Sequence, residues 1–182
     1  MRRDEHDHTL PAGADPAADA PWQPAFLLGV GLGGFVDGIL LHQMLQWHHM
    51  LTSTASHPMT TVAGLEANTL ADGFFHVATW IIVAAGSWLM WRAWQQGRIA
   101  PPWRRHLGLL LAGWGAFNLV EGLIDHELLG IHHVRDDLGG PIGWDLGFLA
   151  FGALLVLAGG TLARLRDARR RRAVTRPDTA PR

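Results

Sequence analysis

A thirteen-residue pattern occurs twice in this chain, each time in a segment apolar enough to cross a membrane. DGILLHQMLQWHH spans Asp37 to His49 and EGLIDHELLGIHH spans Glu121 to His133, so a carboxylate, a glycine, a histidine and a histidine pair recur 84 residues apart. An ionisable side chain is expensive to place in hydrocarbon, and there it marks a functional site by default. The duplication therefore asks for a fold in which two equivalent membrane-embedded elements meet.

The apolar residues fall in four blocks, Ala25 to Trp47, Gly73 to Trp91, Leu107 to Ile131 and Ile142 to Ala163. Each approaches the ~20 residues that a helix needs to cross the hydrocarbon core. A soluble bundle would show a polar face repeating at about 3.6 residues. Leu27 to Ile39 and Val77 to Met90 are instead apolar or small nearly all round, broken mainly by Asp37, Thr79 and Ser87. The expected fold is all-α, a four-transmembrane-helix bundle built from two parallel two-helix repeats. The transmembrane domain is expected over 25–165, with repeats at about 25–94 and 107–165, between a disordered tail at 1–24 and a basic tail at 166–182.

All 15 basic residues are arginine, and only Arg135 falls between the first and second or the third and fourth blocks. Arginine gathers in cytoplasmic loops, which predicts cytoplasmic N and C termini, a cytoplasmic central loop, and outward connections at 46–72 and 130–143. Trp22, Trp47, Trp91, Trp94, Trp103 and Trp144 then fall near the interfaces, as an aromatic belt does. Met1 to Ala20 lacks the apolar core of a signal peptide. These features point to a multi-pass protein of the bacterial cytoplasmic (inner) membrane, with the lipid bilayer as its partner. A net charge of −1 argues against nucleic acid, and the run Arg169 to Arg172 reads as an anchor on anionic lipid.

A second alignment, offset by 73, pairs Asp72 with Asp145, Phe75 with Phe148, Val83 with Val156 and Gly86 with Gly159. Each half is thus a hairpin of two spans, and the halves share one orientation about a pseudo-twofold axis along the membrane normal. The two offsets make the first outward connection eleven residues longer, and the extra sequence, with His57 and Met59, is expected to be a polar, flexible loop. Gly29 and Gly33, Gly34 and Gly38, and Gly143 and Gly147 are small-residue pairs predicted to bring helix backbones together. Gly29, Gly31 and Gly34 also satisfy a dinucleotide fingerprint, but the strand that must precede it is missing.

At 100° per residue, Asp37 shares a helix face with His48, and His42 with His49. In the second copy Glu121, Asp125 and His132 form one stripe, and His126 with His133 the other. One helix spreads these groups too far along its axis to chelate with all of them, so a site needs several helices. The topology brings them to the same end. His42, His48, His49, Asp72, His76, His126, His132, His133 and Asp145 are the candidate metal ligands. Asp37 is a candidate to orient an imidazole from behind, and Glu121 and Asp125 are candidates to move protons. With no cysteine in the chain, a metal must be held by nitrogen and oxygen, which suits iron, copper or zinc in a centre of one or two ions. His76 faces Leu149 in the alignment and Asp125 faces Leu41, so the two half-sites have become unequal.

GFVDGILLHQMLQWHH, DGFFH, and GAFNLVEGLIDHELLGIHHVRDD followed by GWD resemble a family of bacterial four-helix predicted membrane proteins classed as a domain of unknown function. The resemblance covers roughly residues 25 to 165 and implies a multi-pass inner-membrane protein without implying a reaction. Histidine boxes of membrane desaturases are a weaker likeness, because their H-x-x-H-H and H-x-x-x-H spacings are absent. The preferred reading is a membrane metal-binding protein with its site near the periplasmic face, extending to a metal-dependent oxidoreductase. One alternative is a copper or other metal-handling factor for a respiratory enzyme, working with a respiratory-chain or metal-trafficking partner and favoured by Met44, Met50, Met59 and His57. The other is a bis-histidine haem b electron-transfer protein.

Overall fold

The computed structural model describes residues 20–98 and 101–174, with side chains through residue 164. It contains four long helices. α1 runs from Gln23 to Val36 and continues as a π-helical segment over Asp37–Met44. α2 is Val62–Gln95, α3 is Trp103–Glu121 with a π-helical continuation over Gly122–Leu128, and α4 is Ile142–Val174. All four are long and apolar enough to cross a membrane, over Gln23–Met44, Val62–Gln95, Trp103–Leu128 and Ile142–Arg164. Most of the N-terminal tail expected over 1–24 lies outside the described residues, as do 175–182 and the side chains of Arg169 to Arg172; α4 itself extends as far as Val174.

The interior is polar and the exterior apolar. Among the described residues the buried apolar side chains are Ala20, Ala25 and Val134, whereas His42, His48, Asn68, Asp72, Asn118, Glu121, His126, His132 and Asp145 are all buried. Phe74, Trp80, Leu154 and Leu157 point outward. In water such a surface would drive association; in a bilayer it is the matched face, while the helices satisfy their own backbone groups.

α2 packs on α1, α1 on α3 and α3 on α4, so α1 and α3 form the central pair and α2 and α4 flank it. Glycine makes the central crossing possible. A Cβ on Gly29 would stand 2.1 Å from the carbonyl oxygen of Leu110, and a Cβ on Gly113 would stand 2.1 Å from that of Phe26. These contacts interchange under the 84-residue offset, which is the expected pseudo-twofold at atomic level. The flanking helices show it too, with Gly31 against Val83 and Gly115 against Val156. Gly33, Gly34 and Gly38 also sit in close contacts, against Trp114, Thr79 and His76. The third predicted pair is different: nothing approaches a Cβ on Gly143 or Gly147, because both lie on the exposed face of α4 while Asp145 between them turns inward.

Both central helices end in the same unusual way. Leu45 N–H donates to the Leu40 carbonyl and Leu129 N–H to that of Ile124, each at 2.8 Å, which is the wider π winding. Gln46 (φ 53°) and Gly130 (φ 56°) then turn the chain out of the helix in the left-handed region. For Gln46 this conformation is costly and for Gly130 it is free. The helical stripes extrapolated through His48 and His132 therefore do not form, since the helices stop at Met44 and Leu128 and the histidine pairs lie on the irregular segments beyond.

The extra residues of the first connection are largely ordered as helix. α2 begins ten residues before Asp72, whereas α4 begins three before Asp145. Thr61 caps α2 by accepting from Gly64 N–H, and Asn68 ties the preceding loop down through the His57 carbonyl and Leu51 N–H. The two connections also bond to each other reciprocally. Ser53 N–H donates to the Ile131 carbonyl, and Asp137 N–H to the Trp47 carbonyl, positions again related by 84.

Candidate metal centre

Because the central helices end together, their terminal segments converge between α2 and α4. His42 and His126 lie on the π-helical segments, and His48 and His132 on the loops that follow. The ring centroids of His42 and His48 are 4.5 Å apart and those of His126 and His132 are 4.8 Å apart. The cross pairs match as well, 5.9 Å for His42 with His132 and 6.0 Å for His48 with His126. At the centre, His48 and His132 stack at 4.8 Å with only 5° between their planes. Asp37 and Glu121 complete this inner set, in which every member is at most 6% exposed.

The outward nitrogen of each inner imidazole faces an oxygen. His42 Nδ1 is 3.1 Å from Asp72 Oδ1 and His126 Nδ1 is 3.4 Å from Asp145 Oδ1. His48 Nδ1 donates to the Val134 carbonyl at 3.0 Å, while His132 Nδ1 lies 3.4 Å from the Met50 carbonyl. The last two contacts cross from one repeat to the other. Oxygen at Nδ1 selects the tautomer that leaves the Nε2 lone pair free, which is the arrangement that prepares histidine to ligate a metal. Burial pushes the His48 pKa down to about 2, and His132 and His42 beside it add to the effect, so this ring stays neutral.

The inward nitrogens meet carboxylates and each other. Glu121 Oε1 lies 3.0 Å from His126 Nε2 and 2.9 Å from His132 Nε2, and Asp37 Oδ2 lies 3.1 Å from His42 Nε2. A carboxylate oxygen this close to Nε2 accepts the ring's own N–H when the ring is protonated there, and shares a bound cation with the Nε2 lone pair when it is not. Two donors each ~2.1 Å from one ion at roughly right angles stand about 3 Å apart, which is the separation found here. His42, His48 and His132 form one group able to hold a metal ion, and Glu121, His126 and His132 form another, each within 4.8 Å. Buried polar atoms without a hydrogen-bond partner collect at the same place, on Asp37, His42, His48, Glu121 and His126.

Asp72 and Asp145 stand behind the imidazoles. Each carboxylate gathers two histidines and one backbone N–H: Asp72 takes His42, His49 at 2.6 Å and Met50 N–H, and Asp145 takes His126, His133 at 2.8 Å and Val134 N–H. Asp72 and Asp145 thus lie against Nδ1 atoms, while Asp37 and Glu121 lie against Nε2 atoms. His49 and His133 are outer members, and His133, with 31% of its side chain exposed, opens an imidazole–carboxylate–imidazole chain from the surface to His126. His76 is held one turn below Asp72, its Nδ1 donating to the Asp72 carbonyl and its ring beside Phe35 and Phe75. Asp125 is half-buried and is not among the carboxylates paired with imidazole.

Two further polar residues near the site do not stand out in the sequence. Gln43 donates to Asp72 at 3.0 Å, and Asn118 is buried one turn before Glu121. An isolated asparagine in an apolar span was the available signal for Asn118. Above the site, Arg135 sits 4.4 Å over the Trp47 ring and 5.1 Å over that of Trp144 while pairing with Asp137 through two nitrogens. Met44 is 71% exposed and the His57 ring bonds to the Ser56 hydroxyl, while Met50 meets the site through its backbone N–H and carbonyl.

The model of a family described as "Predicted membrane protein (DUF2243)" matches residues 24–166. No curated protein and no solved structure matches the chain. The match covers most of the chain, which therefore belongs to this family of predicted membrane proteins of unknown function.

Proposed function

We propose that this member of the DUF2243 family holds a transition-metal ion between the ends of its two central helices. His42, His48, His126 and His132 would bind through Nε2, with Glu121 as the carboxylate ligand. The observation that carries this reading is the placement of the rings: four buried imidazoles have Nδ1 against oxygen, and they fall in two donor groups that share His132. Imidazole and carboxylate donors without sulfur suit iron, zinc or copper(II). The stacked and edge-on contacts among the four rings leave no flat slot for a macrocycle, which favours an ion over haem. Such an ion would supply Lewis-acid or one-electron chemistry in a dry, preorganised cage.

The arginine distribution supports a site at the non-cytoplasmic face of a bacterial inner membrane. Arg92, Arg98, Arg104 and Arg105 cluster around the α2–α3 connection, at the opposite end from the histidines. Periplasmic exposure suits a centre reached from outside through His49 and His133. The protein purified in detergent is expected to carry a stoichiometric transition metal, read by elemental analysis together with an absorption spectrum. Metal-free protein, with a His42→Ala, His126→Ala variant indistinguishable from it on reloading, would overturn the reading.

The supporting carboxylates give a second test. Asp72→Asn and Asp145→Asn keep the shape but weaken the hold on Nδ1, and each is expected to lower metal affinity by roughly 10–100-fold without abolishing binding. Competition against a chelator measures this. Equal affinities in wild type and both variants would remove these aspartates from the site.

A further inference from the structure

The two halves of the centre differ by one methylene, at the residue that closes each side. Glu121 Oε1 reaches both imidazoles of its half, His126 and His132. Asp37, its counterpart 84 residues earlier, reaches His42 alone. His48 Nε2 is buried with no hydrogen-bond partner, and the contact of Asp37 Oδ2 with His42 leaves Asp37 Oδ1 unpaired. The shorter side chain withdraws the carboxylate by about one carbon–carbon bond, ~1.5 Å. Asp37 uses its shorter reach on His42, at 3.1 Å, where Glu121 at 3.0 Å from His126 also reaches His132.

We propose that the gap between Asp37 and His48 is an open coordination position, at which the metal takes a small exogenous ligand such as water, hydroxide or a compact anion. This rests on the metal reading above. Structural metal sites are closed by protein donors, whereas catalytic ones keep a position free for water or substrate. The Glu121 half has the closed form and the Asp37 half the open form. The burial of every surrounding donor limits that ligand to a few atoms.

The test uses the full-length protein in detergent, loaded with cobalt(II), whose visible bands report coordination number, and titrated with azide. Wild type is expected to bind cobalt and to show a saturable azide-dependent spectral change. Asp37→Glu restores the missing methylene and is expected to bind cobalt while its azide affinity falls at least about tenfold. Cobalt binding by wild type with no response to azide overturns the open position and leaves the metal centre standing, as does an Asp37→Glu protein that responds like wild type. Failure of wild type to bind cobalt overturns both. If Asp37→Glu does not fold, Glu121→Asp is the second arm. It is expected to open an equivalent position and to add a second azide-dependent change, and its absence counts against the proposal.

Discussion

Replacing His132 by alanine is expected to empty the metal centre more thoroughly than any other single histidine substitution. His132 belongs to both groups of donors able to hold an ion, and its Nε2 lies 2.9 Å from Glu121. Its ring also stacks on His48 and faces the Met50 carbonyl of the other repeat. Metal binding free energies of about 10–16 kcal/mol shared among the five proposed ligands correspond to ~2–3 kcal/mol for each, or roughly a 10²-fold loss of affinity. The loss is expected to exceed that share, because Glu121 would be left buried beside a cavity. Chelator competition on His132→Ala, with His57→Ala as the control, measures it. His57 bonds to Ser56 in the loop, so its removal is expected to leave affinity unchanged. Wild-type metal retention in His132→Ala would refute the shared centre.

Gly113→Val is expected to have the largest effect on stability. The new Cβ would lie 2.1 Å from the Phe26 carbonyl oxygen, and this obstacle is backbone, which cannot rotate away as a side chain does. Relief requires α1 and α3 to separate by about 1 Å or more, at a cost of ~3 kcal/mol or above, at the high end of overpacking. Membrane helices have no hydrophobic drive to restore such a crossing once close contact is lost. The same separation would pull His42 and His48 from His126 and His132, so metal affinity should fall with the melting temperature. Gly143→Ala and Gly147→Ala, where a Cβ meets nothing, are expected to melt like wild type. Thermal unfolding in detergent separates the two cases. A Gly113→Val protein as stable as Gly143→Ala would mean that the central crossing is not close-packed.

The contrast between these glycines shows where reading the chain alone succeeds and where it stops. All three small-residue pairs have the same spacing, yet only those on α1 meet a neighbouring helix. Spacing defines a face, and what faces it depends on where the partner helix crosses. The histidines behave similarly. Their recurrence at one offset marked them as a set, but the assumed 100° per residue failed once α1 and α3 widened into π turns and ended at Met44 and Leu128. Beyond those residues the direction of His48 and His132 is decided by carbonyls of the opposite repeat.

Four apolar spans, the absence of sulfur ligands other than methionine, and the duplication are properties of the chain itself, because hydropathy and residue identity do not depend on folding. Which carboxylate touches an inward nitrogen and which only steadies a ring could not be read that way. Asp37 and Asp72 are both acidic residues in apolar helices, and only packing separates them. α2 places Asp72 behind His42, at its Nδ1, while the end of α1 carries Asp37 to its Nε2. That assignment rests on contacts made between helices and across the repeat, and so it belongs to the tertiary structure.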